Sequence, residues 1–306
     1  MRIKQAASVA FLGVPGSYSY QAAITLFPDA ELVGKQVFND VVATVTDGSV
    51  DIAVVPIENS IHGRVADVHG LMMSTELQIA GEHLLAIEHC LVGPSGFETH
   101  VDLAKVTRVT SKTEALSQCR RYLDEHVPHA VRVSAPDSAT AVKDVVDNNI
   151  PTELAIGSAF AATQYQATVL ETEIADNPRN TTRFLAMTRP DNILPDEDAD
   201  FTSLIFQTSH NPGALIDALT AFRAFDVNMT KLETYMVYHD IVNPNFYVDV
   251  AAGMQEQRMK DALALLEKET VFVKILGSYK SSSDRSASVG FLPASDRERP
   301  NVDCLE

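Results

Sequence analysis

Along residues 1–187 one order recurs: a short apolar run, a polar or glycine-containing loop, then a segment of helical periodicity. Residues 9–12 lead into Gly13-Val14-Pro15-Gly16-Ser17 and a helix near Tyr20. Residues 51–55 lead into Pro56-Ile57-Glu58-Asn59-Ser60 and a helix near Val65. Residues 106–110 precede Ser111-Lys112-Thr113-Glu114, which has the spacing of a helix-start capping box. Residues 131–134 precede Pro136-Asp137-Ser138, and residues 154–156 precede Gly157-Ser158. Strands that alternate with helices predict an α/β fold with mainly parallel sheets, whose ligands bind outside the carboxyl ends of the strands. Every loop named here falls at that end.

The pattern changes after residue 188. The acidic, proline-bearing stretch 189–199 reads as an exposed, extended linker. Beyond it, 202–207 predicts a strand, and Leu215, Leu219 and Phe222 share one helical face. Strands follow at 227–236 and 246–251, then a helix at 255–268 and a strand at 271–276. This βαββαβ order over residues 200–280 is that of a ferredoxin-like domain. Residues 281–306 read as a disordered tail.

Composition adds bounds. A chain of 306 residues with 45% hydrophobic and 21% charged content suits a globular protein with more than one domain. The formal net charge of -17, without a basic patch, argues against nucleic acid and anionic membrane surfaces as partners. Cys90, Cys119 and Cys304 make neither a C-x-x-C pair nor an even disulfide framework, which fits a cytoplasmic, reducing compartment. No zinc spacing, G-x-G-x-x-G or G-K-[ST] string occurs, so no metal, dinucleotide or ATP cofactor is expected. His89 reads as a packed or hydrogen-bonded histidine.

The candidate chemistry centres on Asn180-Thr181-Thr182-Arg183-Phe184-Leu185. A guanidinium offers a fork of donors to a carboxylate, and the neighbouring hydroxyl can assist a leaving group. Ser17, Ser60, Ser111 and Ser138 stand where they can cap a following helix or, with its backbone N–H groups, hold an anion. Glu58 reads as a general base or as an ion-pair partner.

Taken in order, Gly13-Val14-Pro15-Gly16-Ser17-Tyr18-Ser19, Pro56-Ile57-Glu58-Asn59-Ser60-Ile61-His62-Gly63, the Thr182-Arg183-Phe184 string and Gly213-Ala214-Leu215 resemble the prephenate dehydratases, over roughly residues 7–280. The resemblance implies a two-lobed, periplasmic-binding-protein-like catalytic region at 1–188, crossed near 80–90 and 170–180, followed by a ferredoxin-like ACT regulatory domain. It implies conversion of prephenate to phenylpyruvate, without a cofactor. Thr182 is the residue it ties to catalysis, with Arg183 either binding a carboxylate or organising the loop. Ser17, Tyr18, Asn59, Ser60, Ser111, Gln118 and Phe184 map to the substrate-binding set. Phenylalanine is the implied effector, held in a homodimer or homotetramer at Asn211, Pro212, Gly213, Ala214, Leu215 and Glu233.

Two departures stand out. Lys112 occupies a position where many relatives carry histidine, and Glu233-Thr234-Tyr235-Met236 replaces a common Glu-Ser-Arg-Pro. An arogenate dehydratase is the alternative within the same reaction class, and a non-catalytic carboxylate-binding protein is the alternative outside it.

Overall fold

The computed structural model describes residues 1–96, 102–237 and 240–283. In chain order, the elements of the first part are β1 (Ser8–Leu12), α1 (Tyr18–Leu26), β2 (Glu31–Lys35), α2 (Phe38–Thr46), β3 (Ile52–Asn59), β4 (Gly63–Arg64), α3 (Ala66–Ser74), β5 (Gln78–Ala86) and β6 (Cys90–Gly93). Then come β7 (Arg108–Ser111), α4 (Thr113–Gln118), α5 (Arg120–His126), β8 (Val131–Ser134), α6 (Ser138–Asn148), β9 (Glu153–Gly157), α7 (Ala159–Tyr165), β10 (Thr168–Glu171) and β11 (Thr181–Thr188). The last part has β12 (Phe201–Gln207), α8 (Ala214–Ala224), β13 (Met229–Val237), β14 (Asp240–Val250), α9 (Gln257–Glu269) and β15 (Phe272–Tyr279).

The chain divides into two compact units. One comprises Ala6–Arg64 and Leu85–Phe184. In it β1 pairs in parallel with β2 and β3, and β3 is flanked by β11. Its second sheet has the order β10-β6-β9-β7-β8, parallel at β7 with β8 and β9 and antiparallel where β6 meets β9 and β10. The alternating pattern thus predicts the parallel pairs but not the reversed strands. Aliphatic side chains such as Val109, Leu123, Leu154 and Ile156 fill one core beside this sheet. Each contributes about 1.5–3 kcal/mol on burial.

Helix starts here are specified locally. Oγ of Ser17 accepts the Tyr20 N–H, Oδ1 of Asp137 the Thr140 N–H, and Oγ of Ser158 the Ala161 N–H. The capping box expected at Ser111 does not form. Ser111 closes β7, fully buried, and its hydroxyl donates to the Ile156 carbonyl at 2.7 Å, so Lys112 is the N-cap of α4 and gives it no side-chain cap. Similarly, β3 continues through Pro56 to Asn59 where the sequence suggested a loop.

The other unit comprises Met1–Gln5, Val65–Leu84 and the chain from Leu185. Its four-stranded antiparallel sheet has the order β13-β14-β12-β15, the ferredoxin-like arrangement that the βαββαβ pattern predicts. Phe222, Ala218, Leu263 and Leu266 of α8 and α9 pack with Leu204, Phe206 and Val248 in its core. α3 and β5 also meet this sheet. Nζ of Lys274 donates to the Met73 and Thr75 carbonyls, His69 stacks edge-on to Tyr247 at 5.0 Å, and a Cβ on Gly277 would lie 2.3 Å from the Ile79 carbonyl oxygen.

The stretch 189–199 is less extended than its composition suggests. Pro190–Asn192 form a 3-10 turn, Asn192 is buried against Gln5 and Thr188, and Ile193 bridges to Ile3. Beyond it, the Ser281 and Ser282 N–H groups donate to Asp200 and Glu82. Of the tail expected at 281–306, residues 284–306, with Cys304, lie outside the described residues. Among those described, no helix is long and apolar enough to cross a membrane.

Candidate active site

β3 and β11 are neighbours, and successive residues of a strand point to opposite faces. Glu58 and Arg183 therefore meet on one side and Asn59 and Thr182 on the other. Nη1 of Arg183 lies 3.1 Å from Oε1 of Glu58, with both side chains buried. A guanidinium held this way organises the strands. Phe184 is buried as well.

On the opposite side a chain of polar side chains begins at Asn59. Its Oδ1 accepts the backbone N–H groups of Ile61 and His62, both at 3.0 Å. That fixes the amide, so Nδ2 faces β11 and donates to Oδ1 of Asn180 at 2.7 Å and Oγ1 of Thr182 at 3.0 Å. Nδ2 of Asn180 donates in turn to Oε1 of Gln118 at 3.1 Å. Nε2 of His89 lies 2.6 Å from the same Gln118 oxygen, and Nδ1 of His89 is 3.4 Å from the Tyr18 hydroxyl. Tyr18 donates to the Glu88 carbonyl at 2.6 Å. Burial lowers the His89 pKa and keeps the ring neutral, while it pushes the Tyr18 phenol well above its ordinary range. Burial also raises the Cys119 thiol to about 12, which leaves it unreactive beside Gln118.

The structure thus gathers Thr182, Asn59, Gln118 and Tyr18 into one network. Ser60 joins its edge, where Oγ accepts the Thr181 N–H at 2.9 Å. Ser17 is engaged in capping α1, and Ser111 bonds to Ile156 and Ser138 away from the network. Lys112 is exposed in an ion pair with Glu114. Two network members were not among the expected site residues, although His89 is the hydrogen-bonded, packed histidine that the sequence suggested. Asn180 opens the Thr182 string and had a local signal; the partner of His89 had none, since Gln118 lies 29 residues away.

Comparisons with known proteins bear on this geometry. Residues 9–192 match the prephenate dehydratase family. The chain belongs to that family. A bifunctional chorismate mutase/prephenate dehydratase from Enterobacter agglomerans is 35% identical over 291 residues, covering 93% of this chain and 73% of its own. Arogenate dehydratase 2 from Petunia hybrida is 35% identical over 290 residues, covering 90% and 72%. Among solved structures, prephenate dehydratase from Arthrobacter aurescens in complex with L-Phe superimposes with a TM-score of 0.79 at 29% identity, covering 89% of each chain. GqqA, described as a novel type of quorum quenching acylase, gives 0.81 at 33%, covering 90% of this chain and 99% of its own.

Membership in the prephenate dehydratase family makes the chain a carbon–oxygen lyase. A cavity of about 440 Å³ opens at the start of α8, lined by Thr208 to Ile216 with Pro244 and Phe246. It includes Asn211, Pro212, Gly213, Ala214 and Leu215. Glu233 is not among the lining residues; its Oε1 accepts from Nζ of Lys231 at 3.2 Å. Gly213 is the helix N-cap at φ +88°, without a side-chain cap.

Proposed function

We propose that the chain converts prephenate to phenylpyruvate and that Thr182 assists departure of the ring hydroxyl. The bond from the ring to its carboxylate breaks, releasing carbon dioxide, and its electron pair enters the ring. As it does, the C4–O bond breaks, and the oxygen takes a proton to leave as water. Aromatisation drives the reaction, so the protein's work is to orient a dianion and stabilise the departing oxygen.

The observation that carries this reading is the Asn59 bond to Thr182. With its oxygen already accepting from an amide, the Thr182 hydroxyl turns its own proton elsewhere, and among the described residues no acceptor takes it. A threonine is a weak acid, so the hydroxyl serves as a hydrogen-bond donor to the leaving oxygen or as one link of a relay. Arg183, paired with Glu58, holds the strand that presents it. An acylase reading would require a hydroxyl activated by a base, and Thr182 faces an amide instead.

The test is a steady-state assay of the purified chain with prephenate, following phenylpyruvate by its absorbance in base. No turnover would overturn the proposal. Arogenate in a parallel assay decides the second reading, which the Petunia relative's name favours.

Residues 1–188 act in this proposal as the catalytic region and 200–280 as an ACT domain joined by 189–199. The cavity at Gly213 takes phenylalanine, whose carboxylate suits an uncapped helix start. The Arthrobacter prephenate dehydratase, in complex with L-Phe, supports that reading. A paired assembly, dimer or tetramer, in a reducing cytoplasm completes it, in keeping with the buried thiols Cys90 and Cys119.

A further inference from the structure

We infer that His89, proton on Nε2, is a positioning residue that aims the Gln118 amide at the substrate. The assignment follows from backbone donors that admit one orientation. The Ile61 and His62 N–H groups can only donate, so the Asn59 atom they meet is its oxygen. Asn59 therefore presents its NH₂ group to Asn180, and the Asn180 atom it meets is an oxygen as well. Asn180 in turn presents its NH₂ group to Gln118, which must answer with Oε1. His89 approaches that same oxygen at 2.6 Å, so its Nε2 carries the hydrogen.

The consequence lies with Gln118. Its oxygen is saturated by two donors, and its NH₂ group has no acceptor among the described residues. The same network therefore ends in two presented donors, the Thr182 hydroxyl and the Gln118 NH₂ group. Both suit an anionic, oxygen-rich substrate. Without the His89 donor, the Gln118 amide loses one of the two bonds that choose between its flipped orientations.

The proposal rests on the dehydratase reading, and two kinds of measurement separate them. In the full chain labelled with ¹⁵N, the His89 ring should show its proton on Nε2 at neutral pH; a proton on Nδ1 would overturn the assignment whatever the enzyme's substrate.

Kinetics with prephenate use two side chains that mimic opposite ends of the ring. Glutamine places an amide nitrogen near the Nε2 position, and asparagine places one near Nδ1. His89→Asn should lower kcat/KM by roughly ten- to a hundred-fold, the worth of a hydrogen bond to a charged group, and His89→Gln should recover most of that loss. In a Gln118→Ala background the two variants should become equal, because the group through which His89 acts is gone. Equal kcat/KM for both variants with Gln118 present, or an undiminished His89→Asn effect in the Gln118→Ala enzyme, would overturn the positioning role. Melting temperatures of all variants identify any that fail to fold. Absence of turnover by the unaltered chain would sink the dehydratase reading instead, leaving the nitrogen spectrum to decide the tautomer.

Discussion

Pro15-Gly16-Ser17 and Pro212-Gly213-Ala214 place a glycine in nearly the same left-handed conformation ahead of a helix, at φ +87° and +88°. The outcomes differ. At the first, Ser17 caps α1 by accepting the Tyr20 N–H at 3.2 Å, and a Cβ on Gly16 would lie 3.1 Å from Cε2 of Tyr165. At the second the glycine is itself the cap, and a Cβ there would find only Oδ2 of Asp217, at 3.8 Å. One residue of phase decides whether a hydroxyl closes the helix start or the start, without a side-chain cap, borders a cavity. In the proposed function the network around Thr182 offers side chains to its ligand, and the cavity at α8 offers backbone.

A side-chain site should fail when one atom is removed. Thr182→Val keeps the shape but deletes the hydroxyl, so kcat should fall by roughly 10²–10⁴-fold, the span of general acid assistance, with KM little changed. Near-normal turnover would remove Thr182 from the chemistry. Beneath it lies the buried Glu58 and Arg183 pair. Glu58→Gln leaves a guanidinium short of its carboxylate in the interior, and breaking such a pair costs about 3–5 kcal/mol. Denaturant titration should show the midpoint drop; an unchanged midpoint would mean that the pair adds nothing to stability.

The contrast also explains what the sequence disclosed. The strand and helix order was legible because apolar runs and helical periodicity are local, and so was the βαββαβ pattern. The antiparallel strands β6 and β10 were not, because direction depends on where the chain returns. Thr182 and Asn59 were named by their strings, and Asn180 lay in one of them. The bond from His89 to Gln118 joins residues 29 apart, beyond any periodicity. Ser111 shows the converse: its spacing fits a cap, yet the Ile156 carbonyl claims its hydroxyl.

A backbone site should resist such deletions and fail when a Cβ is added. Gly213→Val forces a branched side chain into the left-handed region, at about 1–2 kcal/mol for an L-residue, and shifts the helix start that borders the cavity. Inhibition by phenylalanine should weaken or vanish, with turnover in its absence as the reference. Inhibition that persists at the same concentration would place the effector elsewhere.

The smallest effect sharpens the comparison most, because Ser17→Ala makes the first helix start resemble the second. The substitution leaves Gly16 and the packing of Tyr165 in place and removes the oxygen that accepts the Tyr20 N–H. Loss of a serine cap costs about 1 kcal/mol, so the denaturation midpoint should fall slightly with an unchanged slope. If capping is the main work of that hydroxyl, KM for prephenate should barely move. A KM that rises while the midpoint holds would reverse the assignment, showing that the Ser17 hydroxyl serves the substrate.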